Sequence, residues 1–227
     1  MKKLIVWTPG EIEYGKAWDL QKKIHSLRLD SKISDTLILL EHPHVYTIGR
    51  HGNRENILYD QETLEEKGIS VYPVDRGGDV TYHGPGQLVG YPIFNYRQLG
   101  ISTRTFVRSV EELILLFLKD FGLHPYLDSL YPGVWIGQNK ICAVGLRVLN
   151  DISMHGFALN INPDLSLFSG IIACGIQDRG VTSLEKENIK IPDIETVYAR
   201  MTELFKHKFG FDICQRVWDS STEPLLS

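Results

Sequence analysis

The stretch from Asp75 to Gln87 interleaves four glycines and a proline with side chains that can bind a ligand or react. Those side chains belong to Arg76, Asp79, Thr81, Tyr82, His83 and Gln87. Glycine lets backbone N–H groups come close to a ligand, and arginine donates a planar fork of hydrogen bonds to an anion. A tight glycine turn with a solvated arginine accounts for the same residues equally well. Neither the phosphate-loop motif nor the dinucleotide-binding glycine motif occurs here.

Cys174 is the second candidate for chemistry, because it lies beside Gly175 in a segment without helix or strand periodicity. A cysteine thiolate is a nucleophile, and it exchanges with thioesters while keeping the acyl group activated. On composition alone, a small buried hydrophobe is the commoner role for a cysteine. Lys140 begins a strand after a hairpin turn and, by itself, is typical of a solvated lysine. Cys142 shares a strand face with Lys140 but lies in an apolar run, and Cys214 has no polar cluster, so both are predicted to be structural.

Three histidines, His42, His44 and His51, lie close together in the sequence and raise the question of a metal site. No cysteine or carboxylate cluster completes a zinc-binding set around them. Pro43 between the first two favours a loop. We therefore predict a solvated loop and no metal.

The elements that must position these residues indicate an α+β fold. Apolar residues spaced by three and four predict an amphipathic helix at Ala17–Leu27. Strands outnumber helices, and hairpins are mixed with helices, which favours a largely antiparallel sheet flanked by helices. The other predicted helices cover 60–68, 102–122 and 193–210, the last with Ile194, Val197, Met201 and Leu204 inward. The predicted strands cover 2–7, 36–40, 45–48, 69–72, 88–94, 133–136, 140–146 and 154–161, and 163–183 is predicted to be a long loop.

Composition restricts the class of protein. At 227 residues, with 43% hydrophobic and 23% charged residues, the chain is typical of one globular domain covering 1–227. A net charge of −4 gives no general attraction to nucleic acid or to an anionic membrane. No apolar run is long enough to span a bilayer, and no signal peptide is evident. Three scattered cysteines suit a reducing cytoplasm, where we expect the protein.

Several motifs in the chain resemble those of the lipoyl (octanoyl) transferases. The stretch from Arg76 to Leu88 is similar to the Arg-Gly-Gly-x-x-Thr-Tyr-His-Gly-Pro-Gly-Gln-Leu signature of that family. Further matches follow in the family's order: Lys140-Ile141 with Gly145, then His155–Asn160, Cys174-Gly175 and Val181–Leu184.

Two positions depart from the family pattern. Ala173 replaces the proline that commonly precedes the cysteine, and 151–154 lack the tryptophan often found before the histidine. Neither departure removes a reactive group, so both concern details of the pocket rather than the reaction.

The resemblance implies transfer of an octanoyl group from acyl carrier protein to a lysine of a lipoyl domain, on the biotin/lipoate protein ligase catalytic fold. Cys174 would carry the octanoyl group as a thioester, and Lys140 within ~4–6 Å would lower the pKa of that thiol by ~1–3 units. The implied acceptors are the lipoyl domains of 2-oxoacid dehydrogenase complexes and the glycine-cleavage carrier protein, and no cofactor is implied. The implied substrate-binding residues are Arg76, Gly77, Gly78, Asp79, Val80, Thr81, Tyr82, His83, Ala143, Val144, Gly145, Gly156, Phe157 and Ala158.

Two other functions are compatible with the same residues. An ATP-dependent lipoate or biotin protein ligase would activate a free acid and would need no cysteine. A non-catalytic module that binds acyl chains or carrier proteins would use Cys174 only for packing.

Overall fold

The structure, a computed structural model, describes residues 1–172 and 179–217. The helices are α1 (Tyr14–Leu29), α2 (Gln61–Glu66), α3 (Thr103–Lys119) and α4 (Ile194–Phe209). Two short 3₁₀ helices cover Arg54–Asn56 and Leu165–Gly170. The strands are β1 (Lys3–Glu11), β2 (Asp35–Glu41), β3 (Val45–Ile48), β4 (Ser70–Pro73), β5 (Val80–His83), β6 (Gln87–Ile93), β7 (Tyr126–Leu127), β8 (Val134–Ile136), β9 (Asn139–Leu149), β10 (Ile152–Asn160), β11 (Gly180–Val181) and β12 (Ile213–Val217).

The strands form one large sheet and one small sheet. The large sheet has the order β12-β1-β2-β6-β10-β9-β8-β7, with β11 paired to β9, and the small sheet has the order β4-β3-β5. In the large sheet, the central pairs from β2 through β6, β10 and β9 to β8 are antiparallel. At one side of this sheet, β1 pairs in parallel with β2 and β12. The predicted α+β class with a largely antiparallel sheet is therefore confirmed.

Helices cover both faces of the large sheet. On one face, α3 and α4 enclose a core that contains Phe94, Phe106, Phe205 and Phe209. On the other face, α1 packs against Trp7, Ile38 and Val89 through Ala17, Leu20 and Ile24. No helix in the described ranges is both long and apolar enough to cross a membrane.

The predicted ends of α3 and α4 agree with the structure, because the residues that mark those ends lie next to them in the sequence. The Ser102 side chain accepts a hydrogen bond from the Thr105 N–H at 3.1 Å, which caps α3. Asp193 caps α4 in the same way at Thr196, and Gly210 ends that helix with φ of 67°. Ile194, predicted to face inward, is instead 37% exposed, because it lies in the first turn beyond the edge of the core.

Other predictions need correction. The predicted strands omit the glycine-rich stretch, yet within it Val80–His83 form β5, paired antiparallel with β3. Within the predicted long loop, the structure shows a 3₁₀ helix and the short β11, while 173–178 lie outside the described residues. Pairing with distant strands explains these elements, because neither β5 nor β11 has a strong pattern of its own.

Candidate active site

A cavity of about 660 Å³ lies on the α1 face of the large sheet, between β9, β10, β5 and the loop 76–79. We call it the main cavity. Its volume is within the usual range for sites that bind small molecules. Thirteen of the predicted site residues line it: Arg76, Gly77, Gly78, Asp79, Thr81, His83, Lys140, Ala143, Val144, Gly145, Gly156, Phe157 and Ala158.

Pairs of small residues form part of the cavity floor. In the antiparallel ladder of β9 and β10, Ala143 lies opposite Ala158 and Gly145 lies opposite Gly156. The side chains of Val144 and Phe157 pack toward the α3–α4 core, so these two residues face the cavity through their main chain. The result is a groove along the two strands that a narrow apolar chain could occupy.

The loop that contains Gly77 closes over this groove. The Gly77 N–H donates a hydrogen bond to the Leu146 carbonyl oxygen at 3.3 Å. A Cβ atom on Gly145 would lie 3.2 Å from the Gly77 oxygen and 3.4 Å from Arg76 Cδ. The absence of a side chain at Gly145 therefore lets the loop rest on β9.

Arg76 is buried, and the contacts seen for its guanidinium hold the loop to β3. Its Nη2 donates to the Thr47 carbonyl oxygen at 2.7 Å and to Thr47 Oγ1 at 2.8 Å, and its Nε also donates to that hydroxyl. Its Nη1 donates to the Gly77 carbonyl oxygen at 2.9 Å. These hydrogen bonds make Arg76 a structural support of the cavity wall, so the alternative of a solvated arginine in a glycine turn was wrong. Its role in binding a ligand stays a prediction.

Side chains alternate along β5, so two of its four predicted substrate-binding residues place their side chains away from the main cavity. Thr81 and His83 line the main cavity. Val80 and Tyr82 are fully buried in a separate cluster that includes Tyr46, and the Tyr82 hydroxyl contacts His44 Nδ1 at 2.9 Å. Because successive side chains of a strand point to opposite faces, Val80 and Tyr82 cannot share the cavity face with their neighbours.

A chain of hydrogen bonds determines which nitrogen of His83 carries the proton. Asn160 Nδ2 donates to the Thr182 carbonyl oxygen, so Asn160 Oδ1 accepts from Gln87 Nε2 at 2.9 Å. Gln87 Oε1 is then the acceptor for His83, at 2.8 Å from Nδ1. His83 thus has its proton on Nδ1 and a lone pair on Nε2. Burial lowers the pKa of His83 to about 3, so the ring is neutral near pH 7.

His42 lies beneath the same part of the cavity and is fully buried, so its predicted place in a solvated loop was wrong. Its Nδ1 donates to the Ile12 carbonyl oxygen at 2.6 Å, which leaves Nε2 to accept from the Tyr91 hydroxyl at 2.6 Å. Burial lowers the pKa of His42 to about 4. Tyr14 stacks against His83 with 6.0 Å between the ring centres, so aromatic rings support the cavity floor.

At another part of the cavity wall, His155 forms a polar group with Asp75 and Arg147. His155 Nε2 lies 2.7 Å from Asp75 Oδ1, and Arg147 forms an ion pair with the other carboxylate oxygen. Burial lowers the pKa of His155, and the nearby cations Arg76 and Arg147 act in the same direction. Asp75 acts in the opposite direction, but Arg147 already balances its charge, so we take His155 as neutral and as the donor to Asp75.

Lys140 lies where the main cavity meets a side pocket of about 50 Å³, which Trp135, Phe168, Arg179 and Val181 help to line. The Lys140 Nζ atom lies 5.0 Å from the centre of the Trp135 ring. Cys174, predicted to be the nucleophile, lies outside the described residues.

The two described cysteines lie away from both pockets. Cys142 is fully buried in the α3–α4 core, and burial raises the pKa of its thiol far above the usual range. A shift of register between Val134 and Trp135 interrupts the alternation near Lys140. Cys142 therefore does not share the cavity position of Lys140, contrary to the prediction. Cys214 packs against the edge of the same core.

Sequence reasoning missed several residues that line the main cavity, among them Tyr14, His51, Tyr91, Leu130 and His155. Alternation along β6, with Leu88 in the α3–α4 core, could have assigned Tyr91 to the cavity face. Nothing local marks Tyr14 or Leu130, whereas His51 and His155 were noted in the sequence but were not assigned to binding. Within residues 1–172 and 179–217, no group of three or more His, Cys, Asp or Glu side chains could hold a metal ion.

Comparison with known proteins gives consistent matches over most of the chain. The family model described as the lipoyl protein ligase A/B catalytic domain matches residues 13–206. A protein named octanoyltransferase from Caldicellulosiruptor saccharolyticus is 48% identical over 201 residues, which is 88% of this chain and 86% of that protein. A second octanoyltransferase, from Dictyoglomus turgidum, is 46% identical over 213 residues, covering 93% of this chain and 90% of that protein.

The fold has solved counterparts. The crystal structure of a lipoate-protein ligase A bound with ATP superimposes with a TM-score of 0.72 at 16% identity, covering 97% of this chain and 91% of that chain. A likeness at this identity concerns the fold alone, and it confirms the predicted ligase-like architecture.

Proposed function

Because the chain belongs to the lipoyl protein ligase A/B catalytic domain family, we propose that it is an octanoyltransferase that acts in the biosynthesis of protein-bound lipoate. The observation that carries the proposal is the groove of Ala143, Ala158, Gly145 and Gly156, which leads away from Lys140 along the cavity floor. Relatives named octanoyltransferase, with 46% and 48% identity, support the same conclusion.

The groove suits an unbranched saturated chain. Its floor consists of glycine backbone and alanine methyl groups, and Val89 and Tyr91 flank it. Burial of an alkyl chain contributes about 0.8 kcal/mol per CH₂, so the eight carbons of an octanoyl group would supply a large part of the binding energy.

In the first step, the Cys174 thiolate attacks the carbonyl carbon of the octanoyl thioester on acyl carrier protein. A new S–C bond forms at Cys174, the original S–C bond breaks, and the carrier leaves as a thiolate that takes up a proton. The Lys140 cation would favour the thiolate of Cys174 if the two side chains are close. Backbone N–H groups of the glycine-rich loop are candidates to stabilise the tetrahedral oxyanion.

In the second step, the ε-amine of a lysine in a lipoyl domain attacks the octanoyl thioester of Cys174. An amide bond forms, the S–C bond breaks, and the nitrogen loses one proton, which the departing thiolate can accept. The enzyme thereby returns to its starting state. Because the donor thioester is already activated, neither ATP nor a metal or other cofactor is required.

The proposed donor is octanoyl-acyl carrier protein, and the proposed acceptors are lipoyl domains of 2-oxoacid dehydrogenase complexes and the glycine-cleavage carrier protein. Three scattered cysteines with no disulfide framework are compatible with these partners in a reducing cytoplasm.

An ATP-dependent ligase is the alternative with the most similar fold, since a solved lipoate-protein ligase A shares the architecture. Incubation of the protein with octanoyl-carrier protein and a lipoyl domain, without ATP, separates the two reactions. We expect the mass of the lipoyl domain to increase by one octanoyl group. Exchange of pyrophosphate into ATP that depends on free octanoate, with no transfer from the carrier, would instead identify a ligase.

A further inference from the structure

One edge of β9 lacks a partner strand beyond Cys142. There β8 stops pairing with β9, whereas β10 follows the opposite edge of β9 as far as Leu149. Residues 143–148 are only partly buried, although they belong to the large sheet. Among the described residues, no strand covers their main chain on the side away from β10.

The hydrogen bonds of β9 show which residues turn their polar main-chain groups toward this edge. Leu146 does so, because its carbonyl oxygen accepts from the Gly77 N–H rather than from β10. In an antiparallel strand these groups alternate between the two edges, so Val144 and Val148 turn theirs the same way as Leu146. Within residues 1–172 and 179–217, neither valine has a backbone hydrogen bond on that side.

Val144 and Val148 differ in where they lie. Both side chains pack against the α3–α4 core, but of the two only Val144 lines the main cavity. Gly77 covers the edge on one side of Val144. Gly133 covers it on the other side, since a Cβ atom there would clash with the Cys142 carbonyl oxygen. Between these two contacts, the N–H and C=O of Val144 face the cavity as one donor and one acceptor.

This part of the edge is close to the end of the Lys140 side chain. The Cβ position on Gly133 that meets the Cys142 oxygen lies 3.5 Å from Lys140 Cε. Val144 is two residues further along the strand, which corresponds to about 7 Å. The main-chain groups of Val144 therefore lie within roughly 13 Å of the end of Lys140.

An octanoyl chain has no polar group beyond its thioester, so it could not bind to this donor and acceptor. The thiol arm that holds an acyl group on a carrier protein, pantetheine, contains two secondary amides. In an extended arm their nitrogens lie about 4 and about 9 Å from the sulfur, since each bond advances the chain by about 1.25 Å. With the thioester near Lys140, both amides can therefore reach the edge at Val144.

On the basis of the octanoyl transfer proposed above, we propose that the main chain of Val144 binds the pantetheine arm of the acyl donor. The Val144 N–H donates to the carbonyl oxygen of one amide, and the Val144 carbonyl oxygen accepts from the N–H of the other. Two amides are needed, because the N–H and C=O of one trans amide point in opposite directions. The arm thus binds as an added strand does, beside the apolar groove that holds the acyl chain.

The test measures acylation of the enzyme in the absence of any acceptor. The two donors are octanoyl-pantetheine and octanoyl-thioglycerol, which has the same thioester but no amide. Val144→Pro removes one N–H at the open edge and leaves the ladder with β10 intact. The ratio of kcat/KM between the two donors should then fall by roughly three- to tenfold, the effect of one hydrogen bond. Val148→Pro makes the same change outside the cavity and should leave that ratio unchanged.

An unchanged ratio in Val144→Pro, or an equal fall in Val148→Pro, would overturn the inference. Normal acylation of Val144→Pro with a loss only in transfer to a lipoyl domain would also overturn it, because the edge would then bind the acceptor. Should Val144→Pro not fold, the wild type still provides a test.

In that second test, one amide of octanoyl-pantetheine at a time is replaced by an ester, which removes the N–H alone. At least one of the two esters should raise KM for the wild type by about threefold or more. Equal KM for both esters and the parent donor would overturn the inference. A wild type that no octanoyl donor acylates would instead refute the proposed function.

Discussion

The amine of Lys140 lies 5.0 Å from the centre of the Trp135 indole ring, at the junction of the main cavity and the side pocket. The face of an indole attracts a cation, so Trp135 helps to determine where the charge of Lys140 is placed. Trp135 is itself buried, and its Nε1–H donates to the Tyr131 carbonyl oxygen at 3.0 Å. Trp135 on β8 and Lys140 on β9 thus lie side by side, and the indole ring helps to hold the lysine amine at the cavity.

Replacing Trp135 by a residue without an aromatic ring should leave the amine of Lys140 less firmly held in its position. We expect Trp135→Leu to lower kcat by roughly two- to fivefold, which corresponds to about 0.5–1 kcal/mol of cation–π energy. Trp135→Phe retains a ring face and should lose less. Steady-state kinetics well below the unfolding temperature of both variants would check this, and equal kcat in the two variants would exclude the role of the ring.

Lys140 should determine the reactivity of Cys174. Alkylation by iodoacetamide should be faster at Cys174 than at Cys142 or Cys214, with an apparent pKa below that of a free thiol. Lys140→Met should raise that pKa, because the neighbouring cation is lost. Lys140→Arg keeps the charge in a different geometry and should have a smaller effect. Peptide mapping against pH measures all three thiols, and an unchanged profile in Lys140→Met would contradict the assignment.

The hydroxyl of Thr47 should be needed for stability, since it accepts hydrogen bonds from two nitrogens of the buried Arg76. Thr47→Val leaves those donors without the hydroxyl and should reduce the free energy of unfolding by about 1–3 kcal/mol. Thr47→Ser retains the oxygen and serves as the control. Urea denaturation monitored by tryptophan fluorescence gives both values, and equal stability of the two variants would argue against this support of the loop.

Stability should fall in mild acid because of His42, His83 and His155. Their pKa values are about 4, about 3 and about 3 in the folded protein, against 6.5 for the unperturbed side chain. Between these values the unfolded chain binds more protons, so the stabilisation is complete above the unfolded pKa and is lost as the pH decreases. Each histidine should contribute up to about 1.4 kcal/mol per pH unit in this window.

His83→Asn removes one of the three contributions, because an asparagine amide can still donate toward Gln87 but does not titrate. Urea unfolding at several pH values between 7 and 4.5 should show a shallower loss of stability in this variant than in the wild type. Parallel curves would mean that His83 is not held neutral in the folded protein.

Local signals in the sequence predicted much of the fold but only part of the site. Three residues that mark helix ends lie next to those helices in the sequence, so their effect could be inferred from the sequence. They are the caps Ser102 and Asp193 and the terminating Gly210. The partner of Arg76 is Thr47, 29 residues earlier, and the partner of His155 is Asp75, 80 residues earlier. No periodic pattern encodes such contacts, and the positive φ of His155 contradicts the alternation used to predict strands.

The most direct test of the account is to locate the acyl group on the enzyme itself. The protein is incubated with octanoyl-carrier protein in the absence of ATP and of any acceptor, and peptides are then mapped by mass spectrometry. We predict one octanoyl group per chain, attached to Cys174 through a bond that hydroxylamine cleaves, and neither adduct nor turnover in Cys174→Ala. An octanoyl group on Cys142, or undiminished transfer to a lipoyl domain by Cys174→Ala, would contradict the thioester mechanism.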